Sequence, residues 1–350
     1  MAIANGVIDT NKTKPTKNRE LIITGLLILL PLTAVCALAI GRFSVPVKGV
    51  AAIVAGRVLP LKQTWTAQME NVVINIRFPR VCAAIMVGSA LALSGAVYQG
   101  MFRNPLVSPD ILGVASGACV GAAAAILLHL GPWAIQVFAL AGGLAAVVFA
   151  IAIPRLLKNN SSLMLVLAGV VVSGFMNALL GVMKYLADPD SELAAIVYWT
   201  MGSLASVRLL DVGIMAPGIL IAMTAVLLLR WRINLLALGD AEAHSLGLNV
   251  RTMRGWMILC STTLTSLAIC LAGTIGWVGL IIPHLGRLLV GQDHRYLIPA
   301  SALLGAVFMV VIDTLARNIS GSEIPLSILT GLLGTPLFIW LLLRQRTRIG

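Results

Sequence analysis

The residues that could do chemistry in this chain are few and scattered. Pro283-His284 places a histidine where it could ligate a metal, but no second donor follows at helical spacing, and Asp293-His294-Arg295 falls on a loop. The five cysteines, Cys36, Cys82, Cys119, Cys260 and Cys270, stand singly in apolar runs and read as small core residues. Met101, Met176, Met183 and Met201 form no spaced thioether ladder and read as packing. Acid–base work on a Ser–His pair needs a third group to orient it, and intramembrane acids are almost absent. Asp188, Asp190 and Glu192 share one loop, where solvation accounts for them. Phosphoryl transfer needs Gly-x-x-x-x-Gly-Lys-Ser/Thr, and no Gly-Lys pair occurs. These patterns predict no catalytic residue, no metal site and no cofactor, and any driving energy must come from another polypeptide.

The elements around these residues are set by composition. Of 350 residues, 59% are hydrophobic and 11% charged, against about 25% charged in soluble domains. Bilayer is the solvent that fits. A spanning helix needs roughly 20 apolar residues, and such runs recur along the chain. They are continuous and rich in Leu, Ala, Val and Gly, unlike the short alternating segments of a β-barrel. The expected fold is all-α and polytopic, with about ten spans: 21–41, 81–101, 111–130, 133–157, 163–186, 211–230, 255–275, 276–291, 298–316 and 324–343. A cytoplasmic tail at 1–20 precedes this single domain (21–343), and a second tail, 344–350, follows it.

The net charge of +12 would suggest nucleic acid in a soluble protein. Here it reflects Lys and Arg held on cytoplasmic loops, with no nucleic-acid partner expected. An even span count puts both termini on the cytoplasmic side, in agreement with Lys12, Lys14, Lys17 and Arg19 at one end and Arg344, Arg346 and Arg348 at the other. One region breaks the rule: six of the 25 basic residues lie between Arg42 and Arg80, on the expected outer side.

Two segments have unusual backbone chemistry. Arg103-Asn104-Pro105-Leu106-Val107-Ser108-Pro109-Asp110-Ile111-Leu112-Gly113 breaks a helix twice with proline, and Asp110 is suited to cap the helix expected to begin there. Gly117, Gly121 and Ala125 then form a small-residue stripe that lets two helices approach. In the long loop at about 232–254, Leu238-Gly239-Asp240-Ala241-Glu242-Ala243-His244-Ser245-Leu246-Gly247-Leu248 reads as a short helix ended by a glycine in the left-handed region.

Taken together, the motifs resemble the FecCD family of ABC permeases. The first string is similar to its Asn-Pro-Leu-Ala-x-Pro-x-x-Leu-Gly signature through Asn104, Pro105, Pro109 and Gly113, with Val107 where the family usually has Ala. Gly276-Trp277-Val278-Gly279-Leu280-Ile281-Ile282-Pro283-His284 with Arg287, then Asp313-x-x-x-Arg317, then Arg77-Phe78-Pro79-Arg80 leading to Gln99, extend the match from about residue 75 to 343. Gly279, Pro283 and His284 are signature positions.

The resemblance implies a type II ABC importer permease in a bacterial inner membrane. Its partners would be a dimeric ABC ATPase, a periplasmic or lipid-anchored substrate-binding protein, a second permease copy or homologue, and membrane lipid. It implies that Leu238, Gly239, Asp240, Glu242, Ala243, Leu246 and Gly247 form the coupling helix, and that Arg77, Arg80 and Arg317 receive acidic residues of the binding protein. Asn160, Ser161 and Ser162 would form a cytoplasmic gate. The expected cargo is a ferric siderophore, with haem, vitamin B12 or molybdate as alternatives. An ion-coupled secondary transporter is the competing class; it would need ionisable residues buried within spans.

Overall fold

The structure, a computed structural model, describes residues 16–57, 59, 63, 65–159 and 161–346. Without water to satisfy backbone groups, apolar runs close their hydrogen bonds internally as helices. The helices are α1 (Thr16–Ala39), α2 (Val47–Gly56), α3 (Ala67–Asn71), α4 (Phe78–Phe102), α5 (Val114–Leu127), α6 (Pro132–Leu156) and α7 (Ser162–Leu186). They continue with α8 (Glu192–Met201), α9 (Leu209–Leu238), α10 (Asp240–Ser245), α11 (Val250–Ala272), α12 (Val278–Val290), α13 (His294–Asn318) and α14 (Leu326–Arg346). A π-helical turn, Val72–Arg77, joins α3 to α4.

Each of the ten expected spans falls on one helix: α1, α4, α5, α6, α7, α9, α11, α12, α13 and α14. Seven are long and apolar enough to cross a bilayer; α5, α12 and α14 have shorter apolar stretches. The expected break near 275 is present, with Gly273 at φ 68° and Trp277 at φ 71°. The expected start at Asp110 is corrected. Helix α5 begins at Val114, and Gly113 takes φ 81° ahead of it. Asp110 still caps, accepting from the Ala115 amide at 2.6 Å. The 14 residues of α5 rise only about 21 Å, short of a hydrocarbon core about 30 Å thick. Irregular chain precedes both α5 and α12.

Helix α4 is the axis of the bundle, buried along nearly its whole length between α9, α11, α12 and α13. Glycines permit this. A Cβ on Gly88 would strike the Gly305 carbonyl of α13, and one on Gly95 would strike the Gly279 carbonyl of α12. The stripe read in the sequence works similarly, with Gly117 against Gly142 and Gly121 against Phe138 of α6. Interhelical hydrogen bonds add definition: Ser94 to Thr265 at 2.9 Å and Tyr98 to Thr262 at 3.1 Å. Such bonds contribute about 0.6 kcal/mol each in membranes, so close packing dominates.

The loops gather at two ends. At one, Arg19 and Asn234 approach Asp293, and Arg254 pairs with Asp240. At the other, Leu326 donates to Gly202, Ser203 to Ala272 and Thr274 to Thr200, while Arg42 donates to the Ser320 and Gly321 carbonyls.

Candidate functional site

The signature segment folds back into the bundle. Arg103 ends α4 in the left-handed region at φ 53°, and the Asn104 side chain accepts from the Leu106 amide at 2.9 Å. The chain then descends until Pro109 packs where a Gly279 side chain would sit, and Gly113 lies against Ser173 of α7. Asn104 and Pro105 remain exposed at the α10 end, and of the signature positions Pro109 and Gly279 pack against each other in the interior. Pro283 and His284 are buried on α12, the His284 ring edge-on to Phe338 at 6.3 Å. Among the described residues, no group of three or more His, Cys, Asp or Glu side chains could hold a metal ion.

Gln99 is the hub that pins this segment. Its amide donates to the Val107 carbonyl at 3.1 Å and the Gly279 carbonyl at 3.2 Å, and its oxygen accepts from Arg287 at 2.5 Å. One side chain thus ties α4, the re-entrant segment and α12. Sequence reading had the signal, since a glutamine and an arginine inside apolar runs are costly and rarely idle, but it could not show which partners they met.

At the α10 end the short helix read at 238–248 is present as Asp240–Ser245. Gly239, at φ 134°, and Gly247, at φ 80°, bracket α10. Ala243 is buried and anchors the helix, while Leu238 and Leu246 are exposed on either side of it. Glu242 faces solvent, and Asp240 fixes the segment to α11 through Arg254 at 2.8 Å. Beside it, Asp293 caps α13, accepts from Asn234 at 2.8 Å and pairs with Arg295 at 2.7 Å. Burial would raise the Asp293 carboxyl, but the hydrogen bonds from Arg295 and Asn234 outweigh it and hold it down to about 2.

The opposite end holds the three arginines expected to receive a binding protein, and each already has partners within the chain. All three are buried. Arg77 donates to the Leu38, Ala39 and Phe43 carbonyls. Arg80 pairs with Asp313 at 2.8 Å and Glu323 at 2.6 Å, and Arg317 lies 3.1 Å from the second Asp313 oxygen. The cluster balances two cations with two anions, as burial requires. Only Glu323 reaches solvent, at 32% exposure.

Of the expected gate, Asn160 lies outside the described residues. Ser161 caps α7, accepting from the Met164 amide at 3.2 Å, and Ser162 is half-buried in the first turn.

Comparison with known proteins agrees along nearly the whole chain. The molybdate import system permease of Haemophilus influenzae is 39% identical over 317 residues, covering 91% of this chain and 94% of its own. A probable iron chelatin transport permease of Helicobacter pylori is 42% identical, covering 80% and 85%. The hemin transport permease of Yersinia pestis is 41% identical, covering 79% and 85%. A solved inward-facing metal-chelate type ABC transporter superposes with a TM-score of 0.83 at 38% identity, over 93% of this chain and 99% of that one. The model of the FecCD transport family matches residues 26–344, and the chain belongs to that family.

Proposed function

We propose that this chain is the membrane permease of a binding-protein-dependent importer that carries a ferric siderophore, driven by ATP hydrolysed on a separate subunit. The coarser part rests on the family: the chain is a permease subunit of an ABC importer of the metal-chelate type. The observation that carries the mechanism is α10, a short helix with flanking exposed leucines at one end of an otherwise membrane-embedded chain that has no phosphate-binding loop. Such a helix offers an ATPase dimer a rigid handle on the bundle. The α10 end is cytoplasmic in this reading, because Arg155, Lys158, Arg230, Arg232, Arg251 and Arg254 gather there.

The gate at Asn160, Ser161 and Ser162 and the pathway lie between two permease subunits. On the outer side, a binding protein reaches the arginine cluster through Glu323, its own carboxylate taking the place of Glu323 on Arg80. Charge pairing of this kind sets orientation and encounter rate more than affinity.

Molybdate is the second reading, supported by the H. influenzae relative, which aligns over 91% of this chain. The test is reconstitution in liposomes with the cognate ATPase and binding protein, offering ferric siderophore, hemin and molybdate in parallel. ATP-dependent uptake of the siderophore alone is the expected result. Molybdate uptake would replace the cargo and keep the permease, and uptake independent of ATP would overturn the reading.

A further inference from the structure

One cleft is bordered on one side by the coupling segment of the proposed function. It has a volume of about 980 Å³ and lies between α6 and α11. Its wall is apolar, with Leu144, Val147, Val148 and Ile151 of α6 opposite Ile258 and Leu259 of α11. Its rim is cationic, formed by Arg155 near the end of α6 and by Arg251 and Arg254 in the first turns of α11. The lining carries one carboxylate, Asp240, and Arg254 already holds it at 2.8 Å. Arg155 and Arg251 face the cleft with no carboxylate in ion-pair reach among the described residues.

The dimensions specify a ligand. From Leu144 to Arg155, α6 rises about 16 Å, close to one leaflet of a hydrocarbon core about 30 Å thick. A cationic rim above an apolar wall one leaflet deep fits a molecule with an anionic head and long chains. A Cβ built on Gly255 meets nothing within 4 Å, so the groove is open along α11. We propose that this cleft holds one anionic phospholipid, its phosphate between Arg155 and Arg251 and an acyl chain along α6 and α11. Guanidinium forks match phosphate oxygens, and basic pockets between transmembrane helices bind anionic headgroups. Because Asp240, His244 and Gly247 line the same cleft, the lipid buttresses the coupling segment against the bundle.

The proposal is independent of the cargo. To test it, the full chain is placed in nanodiscs of equal phosphatidylglycerol and phosphatidylcholine, extracted, and the retained lipid counted by mass spectrometry. The wild type is expected to keep about one phosphatidylglycerol per chain, favoured about thirtyfold over phosphatidylcholine, as two arginine contacts at about 1 kcal/mol each supply. Arg155→Ala with Arg251→Ala should remove the preference. Gly255→Leu should remove retention with both arginines intact, because its side chain fills the groove. Equal retention of the two lipids by the wild type overturns the proposal without any variant. Undiminished phosphatidylglycerol in both variants does so too, leaving the cleft to be closed by the ATPase or a second copy.

Discussion

Arg80 of α4 and Asp313 of α13 stand 2.8 Å apart although 233 positions separate them in sequence. Both are almost wholly buried, and Asp313 also receives Arg317 while Arg80 also receives Glu323. The cluster therefore clamps the two helices that run together through the bundle centre. Removing one member leaves an uncompensated buried charge, which costs about 3–5 kcal/mol. Asp313→Ala should lower stability by that order in denaturant titration of the detergent-solubilised chain. A variant with wild-type stability but lost binding-protein affinity would instead make the cluster purely a docking device.

The contact of Gly88 with Gly305 leads to a second prediction. A side chain on Gly88 meets backbone, so no rotamer relieves the clash. Gly88→Leu should separate α4 from α13 and abolish the folded, monodisperse protein in size-exclusion chromatography. Gly25→Leu is the matched control, because a Cβ there meets nothing within 4 Å, and it should behave as the wild type. Recovery of folded Gly88→Leu would mean that the interface repacks.

The spans were legible because hydropathy dictates them, and the break near 275 is made by positive φ at Gly273 and Trp277. The α10 helix was legible from the glycine that ends it, Gly247. What the sequence hid was depth. Pro105 and Pro109 announced a loop, but nothing local distinguishes a surface loop from one that descends to Gly279, since that depends on two glycines far apart in the chain. The partners of Arg80 were hidden for a related reason. The unusual charge density was visible, but Asp313 and Glu323, which pair with Arg80, come more than 230 positions later.

Gly247 offers a test that separates the proposed coupling role from folding. Its φ of 80° is open to glycine and strained for a β-branched residue, while the space around its Cβ is empty. Gly247→Val should therefore cost only about 1–2 kcal/mol, too little to unfold the bundle, yet shift α10 and the exposed Leu246. Reconstituted vesicles should show ATP-driven uptake reduced at least about tenfold with binding-protein docking retained. Gly247→Asn, which tolerates this region, should recover much of the activity. Full uptake by the valine variant would remove α10 from the coupling path.

Asp293 predicts a pH dependence at the same end. Its carboxyl sits at about 2 in the folded chain, against roughly 3.9 when exposed. A depressed folded pKa contributes stability that is present above about pH 4 and lost as pH falls toward 2. The contribution acts on α1, α9 and α13 together, because Arg19, Asn234 and Arg295 all meet this one carboxylate. Asp293→Asn should melt below the wild type at pH 5.5 and lose less on going to pH 2.5, so the two curves converge. Parallel curves across that interval would show that Asp293 makes no net contribution to holding α1 on the bundle.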